Sequence, residues 1–447
     1  MFGTISMLSR KIDIYAFLII FLLVLNGGTL IKVMGYGPIF QIFTLIVLFV
    51  ILTFSNSFSF KKIFRYSFFI LLPLFIINLL HGLIFDNYIL LSNQIINLSV
   101  SILIGVIISI YFEGKSSLFS NHLNLVLKLF VIQGILSSLI LSLYPTRNIL
   151  IKSTGDGSAY VGYLYLFFQR IHINYLGQID LETFNLFGLN IFRAHGFFWE
   201  PSVFSVYVNI FIFLNLFVAK NNRNVLIGFL GILLSWSTTG MAVVLIQLIY
   251  YAGINFKLNL KNILTLGSLS IFLVIVGYVA TINVNDKLYG EKAGSSAQRY
   301  VDTMAAIDVI IHNPAIGIGV EFKNFNQQIK DANPDLSGSI GSSLAIDRVN
   351  ENTFSNSLLR VFVYFGLIFG TLLVWAFFKQ NLITEHPVLF AIVNLTAVSF
   401  SPILFLTFHF TFIVNGLINI FNKRTINISR PKGHFGKEQN YYQKINL

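Results

Sequence analysis

The chain has 447 residues, 55% of them hydrophobic and 11% charged, with a net charge of +12 and a mean hydropathy of +0.76. Soluble globular chains carry about 25% charged residues, so composition excludes a soluble enzyme of this size. The basic excess lies between apolar runs, which ties it to membrane topology rather than to nucleic acid. The absence of cysteine excludes disulfide, thiol and Cys–metal chemistry.

A membrane-crossing helix needs about 20 apolar residues. Taken in chain order, apolar runs predict twelve spans, at 14–31, 37–54, 67–85, 89–112, 123–144, 201–219, 224–237, 239–254, 262–281, 354–378, 387–403 and 405–421. Arg10 and Lys11 precede the first run without a small-residue cleavage site, so that helix acts as the insertion signal. With the N-terminus in the cytoplasm, Lys61, Lys62, Arg65, Lys115, Lys220, Arg223, Lys257, Lys261 and Lys379 all fall in cytoplasmic segments. The basic tail 422–447 falls there too, and Lys32 is the one base in a short loop on the opposite side. By the positive-inside rule both termini are cytoplasmic. The expected fold is a single all-α polytopic membrane domain over 1–447, with two large outer loops at 145–200 and 282–353 that contain short helices. These loops hold most of the acids, so function is expected on that face.

In the second loop, Ser295 and Gln298 have capping-box spacing, and Tyr300, Met304, Ile307 and Ile311 recur at helical spacing up to Asn313-Pro314. This predicts an amphipathic helix lying on the membrane face or on the bundle. The first loop is crowded with aromatics, from Tyr160 to Trp199, which suit an interfacial belt. Trp199 is set apart as a candidate sugar platform. Polar residues within the apolar runs, such as Asn78, Gln94, Asn97, Gln133, Asn209 and His409, read as hydrogen-bonders between helices, and Lys128 as snorkelling to the cytoplasm.

The most informative segment is Arg193-Ala-His-Gly-Phe-Phe-Trp-Glu-Pro-Ser202, which leads from the first loop into the sixth span. Pro201 suits a first helical turn and forces Glu200 into an extended conformation. Arg193, His195 and Glu200 therefore crowd an outward-facing helix N-terminus, a place that attracts anions. The plainer alternative has Glu200 complementing the helix dipole and pairing with Arg193.

Arg193-x-x-Gly196-Phe197-Phe198-x-Glu200-Pro201-Ser202 resembles the motif that opens the core of bacterial O-antigen polymerases of the Wzy type. Ser235-Trp-Ser-Thr-Thr-Gly240 resembles the family's turn between two short spans. Ser296-Ala-Gln-Arg299 with Asn313-Pro-Ala-Ile-Gly-Ile-Gly319 resembles its second-loop pattern, and Asn356-Ser-Leu-Leu with Gly366 and Gly370 the start of the following span. The resemblance covers roughly residues 190–375.

The resemblance implies a GT-C-like membrane glycosyltransferase in the bacterial inner membrane, with both large loops periplasmic. Such an enzyme moves a growing glycan from undecaprenyl diphosphate onto the non-reducing sugar of another lipid-linked repeat unit, with a chain-length regulator as a plausible partner. It implies a metal-independent, inverting transfer. The sequence agrees in carrying no Asp-x-Asp or His-x-x-x-His pattern, and no cofactor is expected.

The leaving diphosphate needs fixed cations, and arginine binds two phosphate oxygens at once. Arg193 and Arg299 are the candidates, with Arg360 a third because it lies slightly inside a span near the outer face. Glu200 is the first candidate for general base and His195 the second. Trp199 and Asn356 complete the expected substrate-binding set. O-antigen ligases share the architecture but place a His before the Asn of the last motif, where this chain has Ser355. The competing reading from another class is a lipid-linked oligosaccharide flippase. A transporter concentrates ionisable groups near the midplane, where this chain has few.

Overall fold

The structure, a computed structural model, describes residues 13–55, 59–84, 93–143, 150–153, 159–164, 167–173, 179–180, 183–186, 188–255, 277–278, 281, 293–320, 356–399, 401 and 403–429. Within them lie α1 (Ile14–Leu25), α2 (Leu30–Val33), α3 (Gly37–Phe54), α4 (Phe60–Ile84), α5 (Asn93–Tyr111) and α6 (Ser116–Leu143). After the first loop come α7 (Pro201–Phe213), α8 (Asn222–Ser235), α9 (Thr238–Asn255), α10 (Ala293–His312), α11 (Ser357–Phe378), α12 (Pro387–Val398) and α13 (Thr407–Ser429). Six of these helices have the length and apolar composition to cross a membrane: α3, α4, most of α5, α6, α7 with the turn that extends it to Val218, and α11. The chain is a multi-pass, predominantly helical membrane protein. The expected run 262–281 lies almost entirely outside the described residues.

Local chemistry sets the helix ends. The Asp13 carboxylate accepts from the amides of Tyr15 and Ala16, capping α1. The sequence reading carries this span on to residue 31, but the helix stops at Leu25. Asn26 turns its side-chain amide onto the Leu22 carbonyl and the Thr44 hydroxyl, and Gly28 takes a φ of +106°. The turn delivers Lys32, on α2, back over one end of the bundle.

Helix α7 is the axis. Its residues from Val203 to Phe213 are all buried, and it packs against α6, α8, α9 and α12. A wide π turn over Leu214–Val218 closes it. Helix α13 packs on α5 and α11. On the periphery, Phe43 and Ile46 of α3 and Phe64 and Phe68 of α4 are exposed. That much outward aromatic and aliphatic surface needs lipid to cover it.

The first loop departs from expectation. Instead of short helices it holds a four-stranded antiparallel sheet, β1 (Leu150–Ser153), β2 (Ala159–Leu164), β3 (Phe167–Ile173) and β4 (Ile179–Asp180), and a hairpin of β5 (Thr183–Leu186) and β6 (Leu189–Phe192). Runs such as Tyr160-Val161 and Ile171-His172-Ile173 are rich in the aromatic and β-branched residues that favour a pleated backbone. In the second loop, α10 forms over the expected helical spacing and stops before Asn313-Pro314, but it begins at Ala293, so Ser295 stands inside the helix and not at its cap. Its Ala305, Ala306 and Val309 are buried and the helix packs on α11, so Met304, Ile307 and Ile311 face outward.

Candidate functional site at the mouth of the bundle

The segment 193–202 is clamped from three sides. At its start, the Ala194 amide donates to the Leu234 carbonyl at 2.8 Å. The Arg193 guanidinium reaches the carbonyls of Ser235 at 3.1 Å and Trp236 at 3.5 Å. These carbonyls end α8, where Trp236 takes a left-handed φ of +51°, and a cation complements the negative end of the helix dipole. In its middle, His195 is 2% exposed, and its Nδ1 lies 2.9 Å from the Phe198 carbonyl. This closes a turn on α6. Gly196 sits there at φ +53°, and a Cβ would stand 2.2 Å from the Gln133 Oε1. At its end, the Leu30 amide donates to the Phe197 carbonyl and the Trp199 amide to the Gly28 carbonyl.

Trp199 is buried and lies 5.2 Å below the Lys32 ammonium, ring centroid to Nζ. Of the aromatics expected in an interfacial belt, Phe192 and Phe198 are instead buried in the bundle.

Glu200 is extended (φ −155°, ψ 157°) at the cap of α7, with Pro201 opening the helix. It is half-buried, and its carboxylate accepts from the Ser202 hydroxyl. The Ser202 hydroxyl also lies 3.3 Å from that of Ser401, whose carbonyl accepts from Ser357. Asn356, one residue earlier, caps α11 by accepting from the Leu359 amide at 3.0 Å.

Three of the four stretches singled out in the sequence thus converge. Segment 193–202 meets the turn 235–240 through Arg193–Ser235 and through the hydroxyls of Ser205 and Ser237 at 3.1 Å. It meets the start of α11 through Ser202, Ser401 and Ser357. The turn 313–319 meets α11 further along, at a break in the helix where Gly366 has φ +67°. There the amides of Ile318 and Gly319 donate to the carbonyls of Val363 and Tyr364, and the Leu367 amide donates to Pro314. The backbones approach so closely that a Cβ on Gly366 would stand 2.5 Å from the Ala315 carbonyl oxygen. Arg299 is carried on α10, which leads directly into this turn; Ser355 lies outside the described residues.

Beside this junction opens a cavity of about 340 Å³, walled by Lys32, Gln41, Gln94, Asn97, Arg360 and Tyr364 among others. Arg360 donates from Nε to the Tyr364 hydroxyl at 2.6 Å and lies over the same ring. Lys32 keeps exposed surface, yet its ammonium is partly stripped of hydration by the protein around it. That desolvation, with repulsion from Arg360, lowers its pKa to about 8. Among the described residues the cavity wall carries no carboxylate. Sequence reasoning found Arg360 but not its pairing with Lys32. The available signal was the exceptional place of Lys32, a lone base in a short outer loop.

Residues 224–343 match the family model described as O-antigen ligase. No curated protein and no solved structure gives a match. The matched stretch takes in α8, α9, α10 and the turn 313–319, and leaves out segment 193–202 and α11. It supports the ligase/polymerase superfamily, with a role in O-antigen or polysaccharide assembly in a membrane, and does not single out the polymerase.

Proposed function

We propose that this protein is a polysaccharide polymerase of the O-antigen type. It transfers a growing glycan from undecaprenyl diphosphate to the non-reducing sugar of a second lipid-linked repeat unit, at the periplasmic face of a bacterial inner membrane. Both termini are cytoplasmic in this reading, and the loops 145–200 and 282–353 are periplasmic. The observation that carries it is the convergence of segment 193–202, the turn 235–240 and the start of α11 around Glu200, beside a cavity with two cations.

In the proposed reaction the acceptor hydroxyl attacks the anomeric carbon of the donor glycan from the side opposite the diphosphate. The bond from that carbon to the diphosphate oxygen breaks, undecaprenyl diphosphate leaves with the electron pair, and the configuration inverts. Glu200 takes the hydroxyl proton, its carboxylate oriented by Ser202. Arg193, Arg299 and Arg360 oppose the growing charge on the diphosphate. Trp199 and Asn356 flank the sugar, and His195 holds the turn on which Trp199 stands.

The ligase is the second reading, favoured by the description of the matched family; Ser355, in place of the ligase histidine, favours the polymerase. The test supplies purified protein with a defined undecaprenyl-diphosphate-linked repeat unit. A ladder of longer lipid-linked products is expected. Transfer onto a lipid A core would make it a ligase, and movement across the bilayer without new linkages would make it a flippase.

A further inference from the structure

Two features of the bundle adjoin. One is the cavity that holds Lys32 and Arg360. The other is a groove of about 90 Å³ lined by Ile70, Leu74, Ile102, Phe365, Phe369 and Leu372, among other residues that are all apolar. Leu98 lines both. On α11, Tyr364 lines the cavity and Phe365, the next residue, lines the groove. The groove runs between α4, α5, α11 and α13, and Leu372 on its rim is 37% exposed, so it opens on the lipid-facing side.

The partners of the two cations are aromatic. Lys32 rests over Trp199, and Arg360 on Tyr364. Two like charges brought together in one cavity with no carboxylate on its described wall repel each other, and an arriving anion relieves that repulsion. Gln41 adds a polar atom: its amide nitrogen faces the hydroxyls of Thr407 and Ser101 at 3.2 and 3.5 Å, while its Oε1 is buried without a partner.

We infer that Lys32 and Arg360 seat the phosphate head of a polyprenyl-phosphate lipid, and that the adjoining groove holds the first part of its hydrocarbon tail. The assignment rests on the polymerase reading for the identity of the lipid and adds Lys32, a residue of the first outer turn, to the substrate-binding set. Lys32 then has two stations, over Trp199 when the cavity is empty and against the phosphate when it is filled. Because the Trp199 amide is bonded to the Gly28 carbonyl of the same cavity wall, the head is held next to the segment that ends in Glu200.

The test measures binding of undecaprenyl diphosphate, undecaprenol and inorganic diphosphate to the full-length protein in detergent. Lys32→Gln and Arg360→Gln should each weaken undecaprenyl diphosphate binding by about tenfold or more, the worth of one charge-assisted contact. Undecaprenol binding should be unchanged in both, and Lys32→Arg should retain affinity for the diphosphate lipid. Leu372→Trp, which narrows the groove at its exposed rim, should weaken both lipids and leave inorganic diphosphate unaffected. Thermal melting of each variant separates lost binding from lost fold.

Unchanged affinity for undecaprenyl diphosphate in both glutamine variants overturns the inference. Inorganic diphosphate binding as tightly as the lipid overturns the tail assignment and makes the cavity a free-phosphate site. The two readings fail separately. Binding as expected with no product ladder sinks the polymerase, whereas a ladder with both variants binding normally sinks this site.

Discussion

The Ser202 hydroxyl donates its hydrogen bond to the Glu200 carboxylate, across the first turn of α7. The candidate base and its orienting group thus share one rigid element, and Ser202 is itself braced against Ser401 at 3.3 Å. Glu200→Gln keeps the shape and removes the base, so turnover per folded enzyme should fall by about 10²–10⁴-fold. Donor-lipid binding should be intact. Ser202→Ala should lower turnover less, since the base remains but loses its orientation. Near-normal turnover in Glu200→Gln eliminates Glu200 as the base.

Arg193 is predicted to carry a structural load together with any role on phosphate. Its guanidinium holds the carbonyls of Ser235 and Trp236 at the end of α8. Arg193→Ala leaves those partly buried carbonyls short of donors, which costs about 1–3 kcal/mol. The variant should melt at lower temperature and lose polymerisation. Lysine should restore the melting temperature better than the activity, because a point charge cannot reproduce a bidentate fork. An alanine variant with unchanged melting would refute the anchoring role.

The contact between the 313–319 turn and the break in α11 leaves no room for a side chain. Gly366→Ala puts a methyl 2.5 Å from the Ala315 carbonyl at φ +67°. The expected cost is at least about 1–3 kcal/mol, read as a lower unfolding temperature in detergent. Gly253→Ala, in α9 where a Cβ meets nothing within 4 Å, serves as the control. Helix propensity predicts stabilisation there of up to about 1 kcal/mol.

Lys32 gives a pH signature. With its pKa lowered to about 8 by desolvation and Arg360, it is charged below that pH and loses its proton above it. An anion binds the charged form and raises the pKa, so complex formation near pH 8 takes up a proton. Affinity for undecaprenyl diphosphate should hold level up to neutral pH and fall as pH rises through about 8 to 10. In Lys32→Arg the slope should vanish over that range. An equal slope in both proteins would move the titration to another group.

Single cysteines introduced into this cysteine-free chain test the orientation. Thr154→Cys and Ser337→Cys should react with an impermeant maleimide in intact spheroplasts, and Ser57→Cys only after lysis. The reverse pattern would overturn the topology and the reaction with it.

Much of this was legible in the sequence. The run 37–54 became α3 from end to end, and Pro201 and the Asn313-Pro314 pair mark a helix start and a helix stop as read. These are local signals, set by backbone chemistry within a few residues. Segment 193–202 was also visible, because its residue types are unusual for a membrane chain. What escaped depends on partners far along the chain. The strands of the first loop need one another to form, and their aromatics read equally well as an interfacial belt. On α10 the apolar stripe suggested the packing face, but the small Ala305 and Ala306 allow close approach to α11 and leave Met304 and Ile311 outside. The meeting of Lys32 with Arg360 joins residues that no periodicity connects.

The burial of α7 also fixes an order of assembly. Between Val203 and Phe213 this helix has no side turned to lipid, and it carries Ser205 and Asn209 wholly inside the protein. Asn209 is covered by α9, whose Gln247 amide donates to its side-chain oxygen at 3.0 Å. Phe213 packs on Phe390 of α12. Both covering helices leave the ribosome after α7, so the axis of the molecule enters the membrane with α6 in place but before these two walls exist. A nascent chain that stops short of residue 387 has Ser205 and Asn209 already covered by the 235–240 turn and α9, but holds the Phe213 flank of α7 open until α12 arrives.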